Sequence, residues 1–314
     1  MTNQPRKHHY VPTFYLAGFT ASGMEDGYLH VLDQTVPRQF RAKPCEIAHQ
    51  RDFYVIETDQ KPMAIENMFC EIEGLTAPVI KQIATTHRLP NINEQIKLLH
   101  FVSIMAMRVP HSIYLLNQPV ETASKMLLRQ VVQNRQFWED IIAQAKATGQ
   151  QVEDIPYKQM KEFIESNSCE ITASQNGKIH SILVSIQIIL PLLLQRTWSL
   201  LVSGREDTHF ICSDCPVSLE WTTQVSDFYA PGFGMRNTQL MVPLCKDVAL
   251  IGNFGGKPQV AEGTQKDVAI INSQTARNAR FLFSLEQDFV WYRKDGTIGT
   301  ITDVFEMIKQ EKRS

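Results

Sequence analysis

Apolar and polar positions divide the chain into three stretches. From Tyr28 to Leu32 side chains alternate with the period of a half-buried strand, and Asp52–Ile56 (DFYVI) is aromatic and β-branched enough for a second. The two are expected to pair as a small sheet. Between them RQFRAKPCEIAHQ, carrying Arg38, Arg41 and Lys43, reads as a solvated basic loop. The period then lengthens: Ile65, Phe69, Ile72, Thr76, Val79 and Ile83 predict a helix over 62–84, with Pro62 in its first turn. A second helix over 93–117, entered at Asn93, is apolar on nearly every side through LLHFVSIMAM and belongs in the core, with Pro110 kinking or ending it. More polar helices over 119–147 and 156–166 are separated by an exposed connector at 148–154. The apolar run from Lys178 to Ser203 predicts a buried helix.

After Gly204 the pattern shortens again. HFICSDCPVSLEW, TQLMVPLC and DVALIGNF are strand-like runs separated by turn residues, and GNFGGK at 252–257 reads as a hairpin turn. A helix over Ser273–Arg280, a strand at FLFSL and an amphipathic helix over Thr302–Lys312 follow. The expected fold is α+β: a predominantly helical core with a small N-terminal sheet and a C-terminal antiparallel or mixed sheet. It is expected as one compact domain over 1–314, with a strand-rich segment at 1–60, a helical middle at 61–203 and an α/β part at 204–314.

Composition narrows the class. With 43% apolar residues in 314, the chain can bury a large core, and 31 basic against 33 acidic residues leave no overall field to draw it onto a polyanion. Ser185, Gln187, Pro191, Gln195 and Arg196 interrupt the most apolar stretch, so no membrane partner is expected. MTNQPRKHHY lacks the apolar run of a secretory signal, and six scattered cysteines read as reduced thiols; both imply a cytoplasmic location. P-loop, dinucleotide-fingerprint, HExxH and GxSxG motifs are missing from the sequence. Local spacing does not encode the oligomeric state.

Candidate chemistry starts at KHHYVPTFYLAGF, where His8 and His9 adjoin four aromatics. Imidazoles supply metal ligands or general bases near neutral pH, and two adjacent ones face opposite ways on an extended segment. Alternatively the aromatics anchor this segment and the histidines are polar edge contacts. Glu66 and Glu73 share one helix face, seven residues apart, and Arg108 in its apolar helix requires a carboxylate partner, for which Glu73 is the choice. Asp214 ends an apolar strand run, as a functional loop carboxylate or as a turn residue before Pro216. Were His9, Glu73 and Asp214 to converge, they would suit Mg²⁺ or Mn²⁺ and phosphodiester hydrolysis, with His8 nearby and Arg108 steadying the phosphate. His209, Cys212, Cys215 and Cys245 form a weaker zinc-type pattern. Nucleic acid is the expected partner, drawn by Arg6, Lys7, Arg38, Arg41 and Lys43. The competing expectation is a non-catalytic binding protein whose His, Glu, Arg and Asp side chains form a structural polar network.

The HHYVP opening with its following aromatic and LxxF pattern resembles the start of an uncharacterised, mainly bacterial family known as domain of unknown function 4238. The resemblance runs on through DFYVI, Glu73, Arg108, FICSDCPV, the VPL around Pro243 and Asn272, nearly the whole chain. It implies no established activity. A bacterial defence or toxin-type nuclease is the role expected of such a site. Cys212, Cys215 and Cys245 depart from the family's usual residues, which argues against a shared role for those thiols.

Overall fold

A computed structural model describes residues 6–36, 38–56, 61–153, 155–166, 169–223, 230–301 and 303. It divides into two compact units, residues 1–112 with 182–314, and residues 113–181. The helix expected over Thr302–Lys312 lies almost wholly outside the described residues.

In the larger unit the chain opens with β1 (Lys7–His9) and a short helix α1 (Thr13–Ala17), followed by β2 (Leu29–Asp33), β3 (Arg38–Ala42) and β4 (His49–Arg51). DFYVI is not a strand. Asp52 sits at a φ of 54°, a left-handed conformation that Asp tolerates, and the chain turns there, closed by Val55 N–H on Asp52 O at 3.2 Å. The segment expected as a basic loop instead supplies β3, a 3-10 turn at Pro44–Glu46 and β4. The expected small sheet therefore has other members: β1 pairs antiparallel with β4, and β2 joins β3, β6 (Cys212–Ser213) and β11 (Phe281–Ser284) in the sheet β3-β2-β11-β6.

Helix α2 (Ala64–Thr86) buries Ile65, Phe69, Thr76, Val79, Ile80 and Ile83, the stripe its period implies, and begins two residues after Pro62. His87, at a φ of 52°, ends it by returning its N–H to Ile83 O. Helix α3 (Ile92–Met107) is capped by Asn91, not Asn93: its Oδ1 accepts from Asn93 and Glu94 N–H, and Glu94 reciprocates. Pro110 starts a new helix, as a residue without an N–H to satisfy is suited to do.

The smaller unit holds most of α4 (Pro110–Val131), α5 (Arg135–Ala147), α6 (Tyr157–Glu165) and the start of α7 (Gln175–Leu194). The single helix expected over 119–147 breaks at Asn134, which caps α5 through Phe137 N–H. Tyr157 ties α6 back by donating to Val132 O at 2.7 Å.

Helix α7 ends nine residues before Ser203, and Thr197–Ser203 is strand β5. TWSLLVS is β-branched and aromatic, and pairing with β9 (Val248–Asn253) satisfies a whole ladder of backbone groups. Arg196 marks the change of direction: 4% exposed, it donates to Thr238 O, Gly252 O and Phe233 O and lies 4.3 Å over Phe254. Helix α7 buries one stripe, Ile182, Ile186, Ile189 and Leu193, while Val184, Ile188 and Leu194 are exposed. It is long and apolar enough to cross a membrane, with 28% of that stretch buried, which departs from the expected buried helix.

β7 (Ser218–Trp221), β8 (Thr238–Cys245) and β10 (Val260–Gly263) complete a mixed sheet of order β10-β5-β9-β8-β7, while β6 (Cys212–Ser213) and β11 (Phe281–Ser284) complete the antiparallel one with β2 and β3. GNFGGK turns through Gly255 and Gly256 at positive φ but is no hairpin, because β10 pairs in parallel with β5. Helix α8 (Gln265–Ala276) begins at a Thr264–Asp267 capping box, well before the expected Ser273. It packs Val268 and Ile271 against Phe210, Met241 and Ala249. β12 (Val290–Tyr292) and β13 (Ile298–Thr300) form a ribbon.

Candidate functional site

β1 sets the geometry, because alternation along a strand turns its two histidines apart. His8 is fully buried, stacked on Tyr54 with ring centroids 5.9 Å apart, and its Nδ1 accepts the Tyr54 N–H at 3.0 Å. A ring nitrogen that accepts a backbone N–H carries no proton, so this contact selects the neutral imidazole protonated at Nε2. Glu66 Oε2, 3.8 Å away, is then a polar neighbour of that nitrogen and not an ion-pair partner. His9 turns the other way, edge-on to His49 at 5.2 Å. Burial pushes its pKa down to about 4, His49 and Arg108 adding to the effect, and its Nδ1 is buried without a hydrogen-bond partner.

Arg108 caps the C-terminus of α3 at 1% exposure. Its Nη1 donates to Glu73 Oε1 at 2.7 Å, which confirms the partner its sequence position demanded. Nε donates to Tyr10 O at 2.9 Å, the guanidinium lies 5.4 Å over Phe69, and the Arg108 carbonyl accepts the Tyr54 hydroxyl at 2.9 Å. Nη2 is buried and makes no hydrogen bond. On α2, Glu66, Cys70 and Glu73 follow one another at i, i+4 and i+7. Burial pushes Glu66 up to about 7, with Arg108 opposing and Glu73 reinforcing. The Cys70 thiol is also raised, by burial first and then by the two glutamates, so it is no activated nucleophile.

Asp214 follows β6 and takes a different partner. Its Oδ1 accepts the Arg280 N–H at 2.9 Å, and its own N–H donates to Phe281 O at 3.0 Å, so it braces the start of β11. Burial lifts it to about 6 against those backbone bonds. Tyr10 links the two regions: its carbonyl holds Arg108, while its phenol, raised chiefly by burial, also feels Asp214 and Arg280.

The structure thus joins His8, Glu73 and Arg108 with Tyr54, Phe69 and Glu66, while His9 packs on His49 and Asp214 on the Arg280 N–H. Glu73 is engaged by Arg108 and Asp214 by a backbone N–H. Among the described residues no group of three or more His, Cys, Asp or Glu side chains is placed to hold a metal ion, whether His9, Glu73 and Asp214 or the four zinc-type residues. His209 is instead bonded to Asp247, Nδ1 to Oδ1 at 3.1 Å. The basic residues lie on β1 and β3 or, for Arg6 and Lys43, next to their ends. Arg6 pairs with Asp52, Arg38 lies over Phe40, and Arg41 and Lys43 lie 4.9 and 5.4 Å over the exposed Tyr28 ring.

Sequence reasoning missed Tyr54 and Tyr10 as site members. From sequence, Tyr54 goes to the strand propensity of DFYVI and Tyr10 to the aromatics that anchor the opening segment. The His209–Asp247 pair leaves no local signal, because its members are 38 residues apart.

Helices combined with antiparallel and mixed sheets around such a site make this an α+β protein. The chain matches the family described as Protein of unknown function (DUF4238) over residues 7–293, and it belongs to that family. No curated protein and no solved structure matches it.

Proposed function

We propose that the assembly around Arg108 is the active site of a phosphodiester hydrolase. The observation that carries this reading is the spare N–H of Arg108 Nη2, buried without a partner beside Glu66, a carboxyl titrating at about 7. Buried unsatisfied donors are rare, and one next to an acid poised near neutral pH is what binding and turning over an anion requires. In this reading Nη2 binds a non-bridging phosphoryl oxygen and ionised Glu66 takes the proton from the attacking water. Glu73 keeps the guanidinium in place. The cations along β1 and β3 support a nucleic acid as the substrate. Mg²⁺ or Mn²⁺ at His9, Glu73 and Asp214 would bind through the carboxylate oxygens that Arg108 and the Arg280 N–H do not engage, an ion that the arginine-based version does not need.

The test is hydrolysis of bis(p-nitrophenyl) phosphate and of DNA, each with and without Mn²⁺. Glu66→Gln is expected to lose about 100-fold in rate while staying folded. Cleavage only with Mn²⁺, abolished by His9→Ala and Asp214→Ala, would support the metal version. If wild type cleaves neither substrate under either condition, the hydrolase reading fails.

A second reading has its own support: every other polar group of Arg108, and Nδ1 of His8, is already bonded within the protein. On that reading the network locks β1, α2 and α3 together in a non-catalytic binding protein.

A further inference from the structure

A separate site lies in the larger unit, in a cleft of about 660 Å³ lined in part by His87, His209, Lys246 and Asp247. His209 Nδ1 bonds to Asp247 Oδ1 at 3.1 Å, while the second carboxylate oxygen lies 3.7 Å from Lys246 Nζ. Although burial opposes it, Asp247 is held below the usual carboxylate range by the His209 bond and the charge of Lys246, so it is ionised and accepts. An ionised acceptor on Nδ1 places the imidazole proton there and leaves the Nε2 lone pair free to take another.

The backbone beneath this pair is fixed from several sides. Asn272, fully buried, donates to His209 O at 3.0 Å and Val290 O at 3.1 Å and accepts the Ile211 N–H at 3.0 Å. Phe210 N–H donates to Lys246 O at 2.8 Å, and Lys246 N–H donates to Gly18 O at 3.0 Å. A side-chain pair held by bonds on the flanking residues is preorganised, as a base needs to be.

We propose that this cleft hydrolyses a small neutral ester, with His209 as general base toward water, Asp247 positioning it and Lys246 stabilising the oxyanion. Two observations choose the substrate class. Arg205 and Lys246 face Glu206, Asp247 and Glu262 around the cleft, a balance that gives a phosphate no advantage, while Val202, Val260 and Ala261 offer apolar wall to an acyl or alcohol group. Water is the nucleophile because Ser203, the hydroxyl lining the cleft, has its single proton committed between the Arg205 and Thr208 carbonyls. His209 Nε2 removes a proton from water as its oxygen bonds to the acyl carbon, and the carbonyl pair moves onto oxygen beside the Lys246 ammonium. Collapse breaks the bond to the alcohol oxygen, which takes the proton back from His209, leaving a carboxylic acid and an alcohol.

The experiment is hydrolysis of p-nitrophenyl acetate by the full-length protein. Saturable turnover is expected, with His209→Gln reducing kcat/KM about 100-fold and Lys246→Met reducing kcat. Asp247→Asn should move the His209 ring nitrogen resonances toward the other tautomer as kcat falls, and Asp247→Glu should recover part of the rate. If His209→Gln does not fold, the variants of the more exposed Lys246 and Asp247 carry the same test. Wild type no faster than buffer, His209→Gln at the wild-type rate, or Lys246→Met and Asp247→Asn both at the wild-type rate would each overturn the proposal.

Discussion

Removing either partner of the Arg108–Glu73 pair should destabilise the protein, and by unequal amounts. Arg108→Met breaks a charge-assisted bond to Glu73 and leaves the Tyr10 carbonyl without its donor. Those losses are worth about 1.5–3 and about 1–3 kcal/mol. Glu73 has 21% of its side chain exposed and can rehydrate, which keeps the total near the lower end, about 3 kcal/mol. Glu73→Gln leaves a guanidinium at 1% exposure with only Glu66, itself pushed up to about 7 by burial, as counter-charge, so it should cost more, about 4 kcal/mol. The double variant should cost less than the sum by roughly 2 kcal/mol, the coupling expected of contacting groups. Urea unfolding followed by tryptophan fluorescence measures all three, using the four native tryptophans. The reasoning is refuted if Arg108→Met unfolds within about 1 kcal/mol of wild type or if the two substitutions add.

Two further outcomes follow from the geometry. Asp214 titrates at about 6 in the folded chain and near 3.9 when unfolded, so the cost of ionising it is absent below about pH 4, grows between 4 and 6 and is complete above 6. Asp214→Asn, which can still accept the Arg280 N–H, should raise the melting temperature at pH 7.5 and leave it unchanged at pH 4. Equal gains at both pH values would sink that account. A Cβ at Gly252 would meet the Trp198 ring at 2.6 Å, and that ring is 2% exposed and tethered through Nε1 to Leu193 O. Gly252→Ala should therefore cost about 2–3 kcal/mol, and an unshifted thermal transition would contradict it.

Helices with a strict apolar stripe were readable. α2 and α3 lie where Ile65–Ile83 and LLHFVSIMAM indicate, and a buried Arg in α3 demands a carboxylate whatever the topology. TWSLLVS was not readable as a strand, since an apolar run with no period fits a buried helix equally well until β9 supplies its partner. DFYVI failed for a different reason: its propensity is strand-like, but the turn at Asp52, beside its ion pair with Arg6, overrides it. Sheet order lay beyond local reading altogether, because β2 finds β11 some 250 residues away and no pattern within β2 points there. The candidate site divides along the same line. Glu66 and Glu73, two helix turns apart, could be put on one face on paper and Glu73 matched to Arg108 by charge, whereas Tyr10, Tyr54 and the His209–Asp247 couple depend on long loop closures.

The Tyr15 hydroxyl is bonded to Pro243 O across 228 residues, and Gly18 O receives the Lys246 N–H close by. During synthesis the aromatic opening segment leaves the ribosome long before that docking surface exists. At about 5–20 residues per second the gap is roughly 10–50 s. Throughout it Tyr10 has Phe53, and Phe14 and Tyr15 have Phe101, to pack on, but the face that docks on the VPLC strand stays open, an invitation to chaperones and to misassembly between nascent chains. Nascent-chain capture should therefore fall sharply once translation has passed the VPLC segment.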